Sequence, residues 1–161
     1  MPNRASLWQR LWAPLLAAAP GRALIRHIAQ PIDRALLPLT RGRLTISRLV
    51  YPTLLLTTTG ARSGQPRSTP LIYFRDGERI VLVASNFGEQ RHPAWYHNLR
   101  ATPRAIVTAD GTSAPYLARE AEGAEREELW RKALAFYSGY EAYSRRAGGR
   151  RIPIMVLEPT T

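Results

Sequence analysis

The sequence contains no cysteine and only three histidines. The absence of cysteine excludes a disulfide framework, a thiolate zinc site and a cysteine nucleophile, and it is compatible with a reducing compartment. His92 and His97 flank Pro93 at a spacing that does not place both rings on one helical face, and His27 is remote from them. We therefore expect no metal site.

Lysine and acidic residues are also scarce. Lys132 is the only lysine, so arginine supplies nearly all of the formal net charge of +11. Residues 1–50 contain eight arginines and a single acid, Asp33. This excess predicts an anionic partner, which is nucleic acid, an acidic lipid surface or a multiply charged small molecule. Because no recognisable nucleic-acid-binding motif accompanies the charge, we expect no nucleic acid partner.

No apolar run in the sequence is long enough to span a bilayer. In residues 1–50 the apolar side chains form an amphipathic stripe instead, made of Leu7, Trp8, Leu11, Trp12, Leu15 and Leu16. Tryptophan and arginine on a short helix suit an anionic membrane surface, whereas packing on the protein's own core, partial disorder or a signal peptide are the alternatives. We predict an N-terminal amphipathic basic helical segment over 1–50 and one folded domain over 51–161. The expected location is cytoplasmic, with residues 1–50 able to contact the inner face of the membrane.

From Tyr51 onward, short β-branched or aromatic runs alternate with turn signals such as Asp76-Gly77 and Asp110-Gly111. The predicted strands are Leu54–Thr59, Leu71–Phe74, Arg79–Ser85, Ala105–Ala109, Ser113–Arg119 and Ile152–Leu157. A helix is predicted over Ala124–Tyr137, where acidic residues occupy the first turn and apolar residues share one face. The fold class is therefore mainly β (α+β), a small antiparallel, meandering barrel of about six strands with flanking helices.

The segment GARSGQPR, Gly60 to Arg67, lies between two apolar strands. A hairpin needs the glycines, which permit positive φ, but it does not need Arg62, Ser63, Gln65 and Arg67. These donors surround a backbone that glycine leaves open, an arrangement that suits an anion such as phosphate. The alternative is a solvated turn.

Two further clusters are candidates for chemistry. The first is the segment Ala84–Pro103, where Ser85, Asn86 and Gly88 follow a predicted strand and precede a short helix. Such a corner can hold a flat heteroaromatic ring. The alternative is that Trp95 and Leu99 are core residues and Asn98 caps a loop. Tyr137, Tyr140 and Tyr143 share one helical face, and they either line a pocket or belong to the core. No nucleophile and base pair is apparent, so we expect a cofactor to supply the chemistry.

Three segments, LLLTTTGARSGQPRSTPLIYF, VASNFGEQRHPAWYHNLRATP and YSGYEAYSRRAGGRRIPIMVLEP, resemble the deazaflavin-dependent nitroreductase family, split β-barrel oxidoreductases that use coenzyme F420. The resemblance runs from about Leu54 to Pro159. It implies that the coenzyme's phosphate and acidic tail bind to Arg62, Ser63, Gln65, Pro66 and Arg67, continued by Thr69 and Pro70. It implies that the deazaflavin ring contacts Ala84, Ser85, Asn86, Gly88, Pro93, Ala94 and Trp95. It places Tyr137, Tyr140 and Tyr143 on the substrate side.

One departure from the family pattern is visible. Many members have G-R-K-[ST]-G where this chain has Gly60-Ala61-Arg62-Ser63-Gly64. One positive charge is lost and a lysine becomes an arginine, so the contacts to the coenzyme tail differ in detail.

The expected function is hydride transfer from reduced coenzyme F420 to a quinone-like, unsaturated carbonyl or nitroaromatic acceptor. Ser85 and one of the three tyrosines are the candidate donors to the oxyanion that forms. The alternatives are an oxidoreductase with the same barrel that uses FMN, and a non-catalytic protein that binds a cofactor or hydrophobic ligand at a membrane surface. The arginine-rich turn favours F420, since it holds more charge than one phosphate needs. A homodimer is left open.

Overall fold

The computed structural model describes residues 51–160, together with Ile32 and Thr40. The predicted amphipathic segment over 1–50 therefore lies outside the described residues except at those two positions. Among the described residues, no helix is long and apolar enough to cross a membrane.

The described chain forms seven strands, three α-helices and one short 3-10 turn at Asn86–Gly88. The strands are β1 (Thr53–Thr59), β2 (Pro66–Ile72), β3 (Phe74–Asp76), β4 (Arg79–Val83), β5 (Arg104–Ala109), β6 (Thr112–Glu120) and β7 (Ile154–Pro159). The helices are α1 (Ala94–Ala101), α2 (Gly123–Phe136) and α3 (Gly139–Arg146).

All strands belong to one sheet of order β2-β1-β5-β6-β7-β4-β3, and every pair is antiparallel. The antiparallel prediction is confirmed, but the expected meander is wrong. Tight hairpins join β1 to β2, β3 to β4 and β5 to β6, whereas β1 also pairs with β5, and β7 lies between β4 and β6.

The two edge strands of the sheet, β2 and β3, are consecutive in sequence and separated only by Tyr73. The sheet must therefore curl until its edges nearly meet, which makes a split barrel. The backbone N–H of Tyr73 donates to the carbonyl of Pro52 at 3.1 Å. The prediction of one strand over Leu71–Phe74 is wrong for this reason, since the chain changes from one sheet edge to the other at Tyr73.

The core lies on both faces of the curled sheet. Alternate residues from most of the strands, including Leu54, Ile80 and Leu157, converge on the concave side, where Trp95 and Leu99 of α1 close the barrel. The intervening residues of β4 and β7 face α2 and α3 on the outside. Because both of its faces are buried, β7 is apolar at consecutive positions, Ile-Met-Val-Leu. Each such buried aliphatic side chain stabilises the fold by about 1.5–3 kcal/mol.

Candidate functional site

The turn between β1 and β2 is closed by its own backbone. The N–H of Gly60 donates to the carbonyl of Gln65 at 2.9 Å, and the N–H of Gly64 donates to the carbonyl of Gly60 at 2.8 Å. Gly64 has a φ of +67°, and a Cβ at Gly60 would lie 2.7 Å from Ser63 Oγ. Glycine at these two positions therefore lets the turn fold tightly while its remaining side chains face solvent.

Arg62 and Arg67 are exposed, and neither guanidinium has a hydrogen-bond or ion-pair partner in the part of the chain that the structure describes. By contrast, Arg79 and Arg119 both donate to Glu125. Arg67 lies on β2, opposite Thr58, so its backbone position is fixed by the sheet register. The turn therefore presents uncompensated positive charge on a fixed backbone, which is suited to an anionic ligand.

The side chain of Asn98 joins α1 to this turn. Its Oδ1 accepts the N–H of Ala61 at 2.9 Å, and its Nδ2 donates to Thr58 Oγ1 at 3.0 Å. The prediction that Asn98 caps a loop is confirmed, and Trp95 and Leu99 on the same helix are core residues. Pro93 is half-buried and Ala94 exposed at the N-terminal end of α1, so Trp95 is the most deeply buried of the three residues predicted to wall the ring.

The loop after β4 has an uncommon backbone conformation. Three consecutive residues, Asn86, Phe87 and Gly88, have φ values of 48°, 55° and 79°, after Ser85 in the right-handed region. A right-handed residue followed by a left-handed one turns successive N–H groups into a concavity that binds anions or carbonyl oxygens. Among the residues described, the N–H groups of Asn86 and Phe87 have no acceptor. Left-handed non-glycine residues cost about 1–3 kcal/mol each, so the surrounding structure must hold them in place.

Helix α3 supports this loop from behind. A Cβ added to Gly88 would lie 2.8 Å from the carbonyl oxygen of Tyr143, so only glycine fits there. Arg146 Nη1 donates to the carbonyl of Phe87 at 3.0 Å. Arg150, just beyond α3, donates to the carbonyl of Ser85 at 2.8 Å. Sequence reasoning missed both arginines, although the run RRAGGRR was an available signal.

The sequence predicts that the three tyrosines share one helical face. In the structure they do not lie on one helix. Helix α2 ends at Phe136, and Tyr137 is extended with φ −143° and ψ 100°, so only Tyr140 and Tyr143 are helical, both in α3. The break occurs at Gly139, where a Cβ would overlap the ring of Tyr137. All three side chains are nevertheless buried together, at 3–4% exposure.

The hydroxyls of the tyrosines differ in their partners. Those of Tyr137 and Tyr143 lie 3.1 Å apart and share a hydrogen bond. The Tyr140 hydroxyl has no hydrogen-bond partner within the described chain. Burial raises the pKa of Tyr137 and of Tyr140 well above the usual value, and it raises the pKa of neighbouring Tyr51 to about 12. These phenols are therefore neutral near pH 7.

Helix α1 connects the turn and the loop. Its N-terminal end follows the loop through Pro93, and Asn98, about 6 Å further along the axis, holds the turn. The structure thus brings the first two predicted segments to one helix, while α3 packs against the loop from the other side. In the described part of the chain, no group of histidine, cysteine or acidic side chains could hold a metal ion.

Comparison with known proteins shows what this arrangement is similar to. Residues 39–159 match the family model for F420H2-dependent quinone reductase. The chain belongs to this family. An F420H2-dependent quinone reductase of Mycobacterium tuberculosis is 38% identical over 85% of this chain and 96% of its own length. A solved F420H2-dependent reductase is 39% identical, with a TM-score of 0.61, over 66% of this chain and 94% of that one. A structure described as a domain-swapped dimer is 34% identical, with a TM-score of 0.64, over 80% of this chain and 96% of that one.

Membership of the F420H2-dependent quinone reductase family confirms three predictions: the split-barrel fold, the class of F420H2-dependent oxidoreductase, and reduced coenzyme F420 as the cofactor. FMN is not needed as an alternative. The residues of this chain fit such a coenzyme. Within the described residues, the guanidinium groups of Arg62 and Arg67 have no partner and could bind an acidic tail, and the N–H groups of Asn86 and Phe87 have no acceptor and could bind ring oxygens. The assignment of individual residues to the coenzyme and the acceptor stays a prediction.

Proposed function

We propose that this protein transfers a hydride from reduced coenzyme F420 to a quinone-like acceptor. The observation that best supports the proposal is a pair of cations, Arg62 and Arg67, that have no acidic partner among the described residues. They belong to the turn that the side chain of Asn98 joins to helix α1. The coenzyme is a polyanion, so we propose that its phosphate and glutamyl carboxylates bind to these cations. Ser63, Gln65, Pro66, Thr69 and Pro70 complete the proposed tail-binding surface.

The deazaflavin ring is proposed to lie against the loop after β4. The free N–H groups of Asn86 and Phe87 suit a ring carbonyl oxygen, and Ser85 has a side-chain hydroxyl without a partner in the described chain. When bound, the reduced coenzyme supplies a hydride from a ring carbon. The residues Ala84, Gly88, Pro93, Ala94 and Trp95 are proposed as the remaining wall of this part of the site.

The acceptor needs a donor for the oxyanion that hydride addition creates. Quinone reduction adds one hydride and one proton, and the hydride leaves a negative charge on oxygen until the proton arrives. Tyr140 is our preferred donor, because it is neutral and its hydroxyl has no partner in the described chain. Tyr137 and Tyr143 already share a hydrogen bond, so we propose that they hold Tyr140 in place. An unsaturated carbonyl or nitroaromatic acceptor would use the same donor.

The test is turnover. The full-length protein is mixed with F420H2 and menadione without oxygen, and formation of the oxidised coenzyme is followed by absorbance and fluorescence. We expect one F420H2 consumed per menadione reduced. If the coenzyme binds but no acceptor, including a nitroaromatic and an unsaturated carbonyl compound, increases its oxidation, the protein is a non-catalytic binder.

Three further expectations stay proposals. A homodimer is one, and a neighbour described as a domain-swapped dimer supports testing it by light scattering. A cytoplasmic location is the second. Contact of residues 1–50 with anionic lipid is the third, and it rests on their composition alone.

A further inference from the structure

The guanidinium of Arg150 contacts four groups of the segment that leads from β4 to α1. Its Nη2 donates to the carbonyl of Ser85 at 2.8 Å and its Nε donates to the carbonyl of Glu89 at 3.0 Å. Its Nη1 lies 3.4 Å from the carbonyl of Ala84 and 2.9 Å from Nδ1 of His92. Its described partners thus include no carboxylate, and four of the five N–H donors of this half-buried cation are directed to this segment.

The backbone before Arg150 brings it under the loop. Helix α3 ends at Arg146, and Gly148 and Gly149 then adopt φ values of 61° and 85°. These left-handed glycines reverse the chain, and the N–H of Arg150 donates to the carbonyl of Ala147 at 3.1 Å. Arg151 follows immediately and is exposed, so the chain offers a second arginine of the same charge that lacks these contacts.

The contact to Ser85 has a geometric consequence for the next residue. A trans peptide is planar, and its C=O and N–H point in opposite directions. Because the Ser85 carbonyl is directed toward Arg150, the N–H of Asn86 is directed away from it. Arg146 has a similar effect on the peptide between Phe87 and Gly88. It donates to the carbonyl of Phe87, so the N–H of Gly88 points the other way and donates to the carbonyl of Ser85 at 3.0 Å.

We propose that Arg150 is a positioning residue, which holds the loop in its left-handed conformation and so sets the direction of the Asn86 N–H group toward the coenzyme ring. This inference rests on the proposed function for the identity of the ring. Lysine does not replace arginine in this role, because one ammonium group cannot reach two separate carbonyls and an imidazole nitrogen in a plane.

The test compares Arg150→Lys with Arg151→Lys in the full-length protein. Both variants keep the positive charge, so neither substitution changes the general electrostatic attraction between the protein and the coenzyme. For Arg150→Lys we expect at least a tenfold loss of kcat/KM with menadione, a melting temperature close to that of the wild type, and faster amide hydrogen exchange across residues 85–90. For Arg151→Lys we expect none of these changes. Equal behaviour of the two variants in both turnover and hydrogen exchange would overturn the proposal.

A second measurement does not depend on activity. The pKa of His92 is lowered mainly by burial and also by the positive charge of Arg150. Its other neighbours are His97, Glu120 and the ring of Tyr96. In Arg150→Gln, NMR titration should therefore show a higher His92 pKa. In the wild-type protein at neutral pH, His92 should have an unprotonated Nδ1, since this atom accepts from Arg150. A protonated Nδ1 would contradict the contact even if every Arg150 variant failed to fold.

The two proposals can fail separately. If the wild-type protein neither binds nor oxidises the coenzyme, the proposed function fails, while hydrogen exchange and the His92 tautomer still decide whether Arg150 holds the loop. If the wild-type protein turns over and Arg150→Lys changes nothing, only the positioning role fails.

Discussion

Residues of the site combine strained backbone with polar groups that lack partners. Asn86 and Phe87 have left-handed backbones that glycine would adopt more easily, and the Tyr140 hydroxyl has no hydrogen-bond partner in the described chain. A folded protein ordinarily pairs its buried polar groups and avoids such conformations. A bound ligand is the simplest reason for left-handed residues whose N–H groups have no acceptor among the described residues.

At this scale the first prediction concerns the buried phenols. Tyr140→Phe keeps the ring and removes a hydroxyl that has no described partner, so stability should change by less than about 0.5 kcal/mol. Turnover should fall tenfold or more, about 1.4 kcal/mol in the activation barrier, if the hydroxyl donates to the acceptor. The measurements are thermal unfolding and kcat with menadione.

Tyr137→Phe is the matched control for that prediction. It removes one partner of the hydrogen bond to Tyr143, so it should lower stability by about 1–2 kcal/mol and affect turnover less. If Tyr140→Phe retains full turnover, the phenols serve only the core, and Ser85 or water becomes the better candidate for the donor.

Single residues also show where sequence reasoning fails. Arg62 and Arg67 were predicted from local composition, since charge at a glycine turn is visible in the sequence itself. Arg150 was not predicted, because its partner Ser85 is 65 residues away and is contacted through a backbone carbonyl, a group that every residue has. Local patterns therefore identify side chains that face a ligand better than those that support the backbone.

At the scale of elements, α1 positions the β1–β2 turn through Asn98. The change Asn98→Ala leaves the Ala61 N–H and the Thr58 hydroxyl without this partner, so it should destabilise the protein by about 1–3 kcal/mol. It should also weaken coenzyme binding several-fold, because the turn that presents the two arginines loses its support. Urea unfolding and coenzyme titration measure the two effects.

The control for Asn98 is His97→Ala, an exposed neighbour on the same helix. It should change neither quantity appreciably. Loss of stability in Asn98→Ala without any loss of affinity would show that the turn holds its shape independently of α1.

A second element-scale prediction concerns acid stability. Glu125, in the first turn of α2, accepts hydrogen bonds from Arg119 of β6 at 2.6 and 2.9 Å and from Arg79 of β4 at 2.8 Å. The hydrogen bonds from Arg119 make the largest contribution, and together these bonds lower the pKa of Glu125 from 4.5 to about 2. Because the folded-state pKa is the lower one, this stabilisation is complete above about pH 4.5 and is lost as the pH falls toward 2.

Thermal unfolding between pH 6 and 2 tests this prediction. Glu125→Gln should lower the melting temperature at pH 6 modestly, by an amount that corresponds to about 1 kcal/mol for a partly exposed ion pair, and it should flatten the acid dependence. Glu141→Gln, which breaks an exposed pair with Arg145, should leave the wild-type curve unchanged. Parallel curves for wild type and Glu125→Gln would contradict the assignment.

Elements were predicted unevenly, for physical reasons. Five of the seven strands, β1, β4, β5, β6 and β7, and helix α2 were found because apolar periodicity and turn residues are local signals. Strand β2 begins at Pro66, within the segment predicted as a turn. The division at Tyr73 was missed because it depends on a contact with Pro52 and on closure of the sheet, both of which are tertiary. The division of the tyrosine stripe into Tyr137 and α3 had a local signal, Ser138-Gly139, which the helical spacing of the tyrosines concealed.

For the whole molecule, the distribution of charge separates residues 1–50 from the barrel. We expect that a chain beginning at Leu44 folds, stays in solution and binds the coenzyme, because the composition of the sequence changes near Tyr51 and every strand predicted from the sequence follows that point. Only the full chain should sediment with anionic vesicles. If the shortened chain does not fold, residues 1–43 belong to the core, and the membrane prediction is lost with that result.

We propose that this barrel binds coenzyme F420 through the cations of its β1–β2 turn. The most direct test of this proposal is a fluorescence titration of the full-length protein with coenzyme F420 and, separately, with FMN, repeated for Arg67→Ala and for Arg131→Ala, an exposed arginine on α2. We predict saturable binding of F420 in preference to FMN. Arg67→Ala should weaken it about tenfold or more, with a steep salt dependence, and Arg131→Ala should not. Preferential binding of FMN, or equal F420 affinities for the wild type and Arg67→Ala at low salt, would contradict the account.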